Sequence, residues 1–203
     1  MEEQKPKRPI FTPIVLILLT FSLIGNVFLF TKMIQSNQDK LAERGYAVMD
    51  AVPQTKLHID QVLAGVQELM GSDEIGKRLA AKSALGAAFH QKPKLVRLID
   101  EAAIVNDKPF EAKKRDAAAF LDQVEASLQS LGNHDGSLTA SERAYLQQIS
   151  DVYMKLKAAV QSLNYKTVNR TTALTVLVDP KWVDASSRML AVMNEPDQLS
   201  FKP

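Results

Sequence analysis

Three histidines, His58, His90 and His134, are the side chains of this sequence best suited to acid–base or metal chemistry. A helical metal pair needs a second ligand three or four residues away. No His, Asp or Glu lies at those offsets from any of the three. They read instead as a residue on a helix face (His58), a cation near a helix C-terminus (His90) and a turn residue (His134). Cysteine is absent, so disulfide frameworks, zinc–thiolate sites and thiol catalysis are excluded. The eight glycines form neither G-x-x-x-x-G-K nor G-x-G-x-x-G, and there is no G-x-S-x-G nucleophile elbow. The doublets Asp73-Glu74 and Asp100-Glu101 are adjacent in sequence, so on a helix their carboxylates diverge by about 100° and do not cooperate as acid and base. Asp73-Glu74 fits a helix N-terminus. The sequence therefore predicts no catalytic residue, cofactor or resident metal, and the chain is read as not an enzyme.

Residues 133–142, NHDGSLTASE, hold the most suggestive spacing. With Asp135 at position 5, Asn133 falls at 3, Gly136 at 6, Leu138 at 8 and Glu142 at 12, which resembles part of an EF-hand calcium loop. Position 1 is Leu131, where the first carboxylate belongs. The simpler reading is a turn at Asp135-Gly136 followed by a capping box of Thr139 and Glu142. Lys113-Lys114-Arg115 has acidic neighbours and no interleaved aromatics, so it reads as a solvated helix face and not a nucleic-acid patch. Small residues crowd positions 79–89 around Gly86, which fits close packing inside the fold or a groove for a partner helix. Asn169-Arg170-Thr171 matches the glycosylation acceptor pattern.

The segment with the plainest physical meaning is 10–30, IFTPIVLILLTFSLIGNVFLF. It carries no charge, and fifteen of its 21 residues are Leu, Ile, Val or Phe. As a helix it is about 30 Å long, the thickness of a hydrocarbon core. Each large apolar residue favours insertion by roughly 0.3–0.6 kcal/mol near the centre. The run is longer than a signal-peptide core, and no small-residue cleavage pattern follows it. It is read as an uncleaved transmembrane anchor. Lys5, Lys7 and Arg8 precede it; Lys32, Lys40 and Arg44 follow within fifteen residues. The counts tie, but the N-terminal side is denser, which places residues 1–9 as a short cytoplasmic tail and the rest outside.

Beyond the anchor the charge is balanced, 21 basic residues against 21 acidic from Met33 onward, so there is no electrostatic footprint for nucleic acid. Helical periodicity is plain. Tyr145, Ile149, Val152, Leu156, Ala159 and Leu163 predict a helix over 139–165. Ala117, Leu121, Val124, Leu128 and Leu131 predict another over 110–131, started by Pro109. Ile59, Val62, Val66 and Leu69 predict one over 54–70, cut off from its upstream neighbour by Pro53. Shorter helices are expected over 73–90, with Ile75, Leu79, Leu85 and Phe89 inward, over 94–105, and over 181–193. Residues 171–178 read as a helix end or an extended cover.

Residues 31–52 are expected to form a helical stalk, with Ile34, Leu41 and Val48 as a thin seam for self-association. The prediction is an all-α chain: a single transmembrane helix at 10–30, the stalk, an antiparallel bundle of four or more helices over 53–194, and a loose tail at 195–203. The functional expectation is a single-pass, membrane-anchored, non-catalytic interaction or assembly factor, with the lipid bilayer and a protein partner or a second copy as its contacts. The alternative is a ligand sensor, since the layout resembles the extracytoplasmic four-helix bundles of bacterial receptors.

Overall fold

The computed structural model describes residues 11–106, 110, 114–165 and 167–201. All regular structure among them is helical, with no strand. The expected cytoplasmic tail at 1–9, Pro109, Lys113 and the last two residues lie outside the described residues. The chain divides into two compact units, Met1–Leu41 and Ala42–Pro203.

The first helix, α1 (Phe11–Met70), runs through both units. Its first part carries the uncharged segment; among the described residues it alone is long and apolar enough to cross a membrane. Its later part buries Ala42, Gly45, Met49, Val52, Thr55, Ile59, Val62, Val66 and Leu69, which follow one another at three- and four-residue steps. That is one continuous helical stripe. Pro53 was expected to break the helix, and it does not. It lies exposed between buried Val52 and Thr55, and the packing on both sides of it outweighs one missing backbone hydrogen bond. Two further expectations change with it. Residues 42–52, the second half of the expected stalk, pack inside the second unit. Val48, the last member of the expected seam, is 1% exposed and belongs to the core.

The second unit adds α2 (Ile75–Phe89), α3 (Lys92–Val105), α4 (Ala117–Ser130), α5 (Ala140–Val160), α6 (Arg170–Val176) and α7 (Pro180–Asn194). Helix α7 packs on α3 and α5, and α4 packs on α2 and α3. Helix α1 meets α6 where Gly45 lies against Ala173, and meets α2 where Gly65 lies against Leu85. Phe89, Phe120, Tyr153 and Trp182 fill the centre. The Trp182 indole N–H donates to the Val176 carbonyl at 2.7 Å, which satisfies its one polar atom.

Local chemistry explains most of the ends. Asp116 starts α4 by accepting from the Ala119 N–H at 2.7 Å, seven residues later than the proline suggested. Thr139 and Glu142 form the expected capping box of α5, which ends at Val160, short of the predicted 165. Asn169 and Thr172 form a second capping box, so the β-branched stretch after them is the short helix α6. Asp179 caps α7, with Pro180 in its first turn, where the absent N–H costs nothing.

The expected loose tail is also corrected. Leu199 is 2% exposed, and residues 195–201 are held by hydrogen bonds from α4, α5 and the segment before α4.

Candidate anchor and interaction surfaces

In the first unit all fourteen Leu, Ile, Val and Phe residues between 11 and 30 are exposed, none less than 43%. The hydroxyls of Thr20 and Thr31 donate to the carbonyls of Leu16 and Val27, each at 2.8 Å. The two hydroxyls are thus satisfied by the helix itself. The Lys32 ammonium lies 5.8 Å from the Phe28 ring centroid, at the charged end of the apolar run.

In the second unit the calcium-like loop has a cation of its own. Arg78 of α2 is fully buried. Its Nε donates to the Gly132 carbonyl at 3.1 Å and its Nη1 to the Gly136 carbonyl at 2.7 Å, while Nη2 donates to the His134 carbonyl. Nη1 also faces the carbonyls of Ser72 and Asp73 at 3.3 and 3.2 Å. Gly132 and Gly136 have φ of 59° and 83°, the left-handed backbone that turns these carbonyls inward.

Of the three loop residues that matched calcium-ligand positions, Asn133 and Glu142 are engaged elsewhere. Asn133 Oδ1 accepts from the Lys82 ammonium at 2.5 Å. The Glu142 carboxylate accepts from the Gly132 N–H at 2.6 Å, the Thr139 N–H at 2.8 Å and the His134 ring at 2.9 Å. Burial alone would raise the Glu142 pKa; these hydrogen bonds outweigh it and hold the group at about 2. His134 is shifted up, because its two ring nitrogens face the Asp135 carbonyl and that carboxylate. Lys82, which also donates to the Gln129 carbonyl, is shifted down by burial and by neighbouring Arg78.

The apolar face predicted for α2 is rotated as a result. Ile75 and Leu79 are exposed, and the buried face carries Arg78, Ala81, Lys82, Leu85, Ala88 and Phe89. Counting apolar residues alone cannot find Arg78. The signal that was available is a basic pair at i and i+4 on a helix otherwise rich in alanine.

The remaining sequence candidates do not converge. His58 is buried, its Nδ1–H donating to the Ala88 carbonyl at 2.9 Å and its Nε2 3.4 Å from the Tyr153 hydroxyl. Burial lowers its pKa. His90 ends α2 as its C-cap residue. Glu101 pairs with Arg44 at 2.9 Å, while Asp100 is raised by burial and by Asp116 and Glu101. Gly86 is not the close approach: a Cβ there would meet only Gln129 Nε2, at 3.7 Å. Asn169 is engaged in its capping box. No group of three or more His, Cys, Asp or Glu that could hold a metal occurs among the described residues.

Lys114 and Arg115 are not on a solvated helix face. Their backbone N–H groups donate to Asn194 Oδ1 at the end of α7, and their side chains reach the tail. This tail contact was invisible to periodicity, since a nine-residue segment without a repeat gives no pattern to read. No family model matches the chain, and no curated protein or solved structure resembles it.

Proposed function

We propose that the chain is a single-pass membrane protein whose helical body serves as a non-catalytic interaction or assembly factor beside the bilayer. One observation carries the reading: the uncharged, predominantly apolar surface of residues 11–30, whose large apolar side chains are all exposed. Exposed apolar patches of that extent on soluble monomers are rare, and lipid is the solvent that suits one. The second unit, read as an antiparallel helix bundle, supports a docking role through its balanced charge and single core. The denser basic group before the anchor favours a cytoplasmic N-terminus and an extracytoplasmic body.

Full-length protein is expected to remain in the membrane pellet after alkaline carbonate washing, with residues 1–30 retained in the mature product. In sealed inside-out vesicles the body is expected to resist added protease until detergent is supplied. Release into the carbonate supernatant, or a mature N-terminus beyond residue 30, would overturn the anchoring.

A further inference from the structure

Residues 196–201 cross α4 and α5 as a non-helical segment whose backbone is gripped by side chains. The Tyr145 hydroxyl donates to the Leu199 carbonyl at 2.8 Å, and Ser127 Oγ lies 3.4 Å from the same oxygen. Ser127 Oγ in turn accepts from the Phe201 N–H at 3.0 Å. Gln148 donates to the Gln198 carbonyl at 3.2 Å. Arg115 donates to the carbonyls of Pro196 and Asp197 at 3.0 and 3.3 Å. Four consecutive carbonyls, 196 to 199, are therefore bound by framework side chains.

Two side chains dock. Leu199 is buried, and the Phe201 ring lies 5.6 Å from that of Tyr145. Two positions before Leu199, the exposed Asp197 carboxylate pairs at the rim with Lys114 at 2.5 Å. Backbone capture together with docked side chains is how folded domains hold peptides. Beside the segment lies a groove of about 700 Å³, bordered by Gln123, Ser141 and Ala144 as well as by the segment itself.

We propose that the α4–α5 groove is a peptide-recognition site, filled here by the chain's own 195–201 and open to a partner's extended segment bearing an acidic residue, a leucine two positions on and an aromatic two positions beyond that. Lys114 at the rim favours the acidic residue, while Arg115 holds the backbone beside it. Leucine fills the buried position, and an aromatic stacks on Tyr145. The tail places one fully buried side chain, Leu199, at the edge of the core with Phe201 packed against it, so its departure uncovers that edge and leaves the helices in place. While bound it competes at the high effective concentration of a tethered ligand, which keeps weak partners out. This deepens the interaction reading above and rests on it by naming the partner's chemistry.

The test uses the full chain in detergent micelles and a fluorescently labelled peptide of residues 195–201, followed by anisotropy. The double variant L199A/F201A, whose own tail is weakened, is expected to bind the peptide at least about tenfold more tightly than the unaltered chain. Adding Tyr145→Phe to the double variant should weaken that binding severalfold, and a peptide with alanine at both anchor positions should not bind. Equal affinity for both proteins, or no binding to a double variant with unaltered circular dichroism and melting, overturns the proposal.

Hydrogen exchange on the unaltered chain decides the matter even where the double variant fails to fold. The Phe201 amide is expected to exchange at least about 100-fold faster than amides at the centre of α5, as a locally opening segment does. Exchange as slow as the α5 core sinks the idea. A dimer that L199A/F201A converts to monomer also overturns it, since the groove would then serve a second copy's tail. Carbonate extraction tests the anchor alone, so a chain that leaves the membrane yet binds the peptide keeps the groove and loses only the anchoring.

Discussion

Arg78 has no water to turn to, so its N–H donors are satisfied by carbonyls from two loops or not at all. Replacing it with methionine keeps much of the volume and strands those carbonyls. Arg78→Met is expected to cost about 3 kcal/mol or more, read from the urea unfolding of the second unit. Arg78→Lys should recover only part of that, because one ammonium cannot span acceptors arranged around a planar fork. A lysine variant as stable as the parent would show that charge, and not geometry, holds the loop.

The two described histidines with shifted pKa values pull stability in opposite directions. Burial lowers His58 below its ordinary 6.5. As pH falls past 6.5 the unfolded chain takes up that proton first, so the folded state loses stability from there downward. His134 is raised above 6.5, first by the Asp135 carbonyl and then by Glu142. Its contribution is complete below 6.5 and disappears as pH rises through the higher folded value. Glu142, held at about 2, stabilises above its ordinary 4.5 and ceases to do so as pH falls toward 2. Histidine proton NMR is expected to show His134 titrating above 6.5 and His58 below it. The reverse order would contradict both environments.

Three glycines on two helices give the same substitution three different outcomes. A Cβ on Gly45 of α1 would sit 1.8 Å from the Ala173 carbonyl oxygen of α6. Backbone faces backbone there, so α6 must move, and Gly45→Ala is expected to cost about 3 kcal/mol or more. On Gly65 the obstacle at 2.6 Å is the buried Leu85 side chain, so a side chain must shift and not a backbone, and the loss should be smaller. At Gly86 of α2 a Cβ meets Gln129 Nε2 at an ordinary contact distance of 3.7 Å, and alanine is expected to stabilise by up to about 1 kcal/mol through its better helix propensity. Urea midpoints of the three variants check the order; equal shifts would mean that the α1–α6 approach is looser than described.

The same elements show what a sequence makes legible. The α5 stripe from Tyr145 to Leu156 and its Thr139–Glu142 cap could be read directly, because both signals are local. The α1 helix through Pro53 could not, since a proline's local penalty is visible in the sequence and the distant packing that outweighs it is not. The α4 start follows Asp116, a local cap beside three alanines, and not Pro109, because a proline only permits a helix to begin after it while a capping side chain satisfies its first N–H groups. At the candidate surfaces, Lys114 and Arg115 were seen, but their partners lie some 80 positions away in the chain and no spacing rule links them.

At the scale of the molecule, the second unit reaches one core without a disulfide, using α1 as one of its own walls. The loop before α5 shows how far this self-sufficiency goes. A calcium loop takes its shape from an ion drawn from the surroundings, and chelation undoes it. Here the positive centre is encoded by a codon on α2. The carbonyls that an ion would gather are gathered by a side chain that travels with the chain itself.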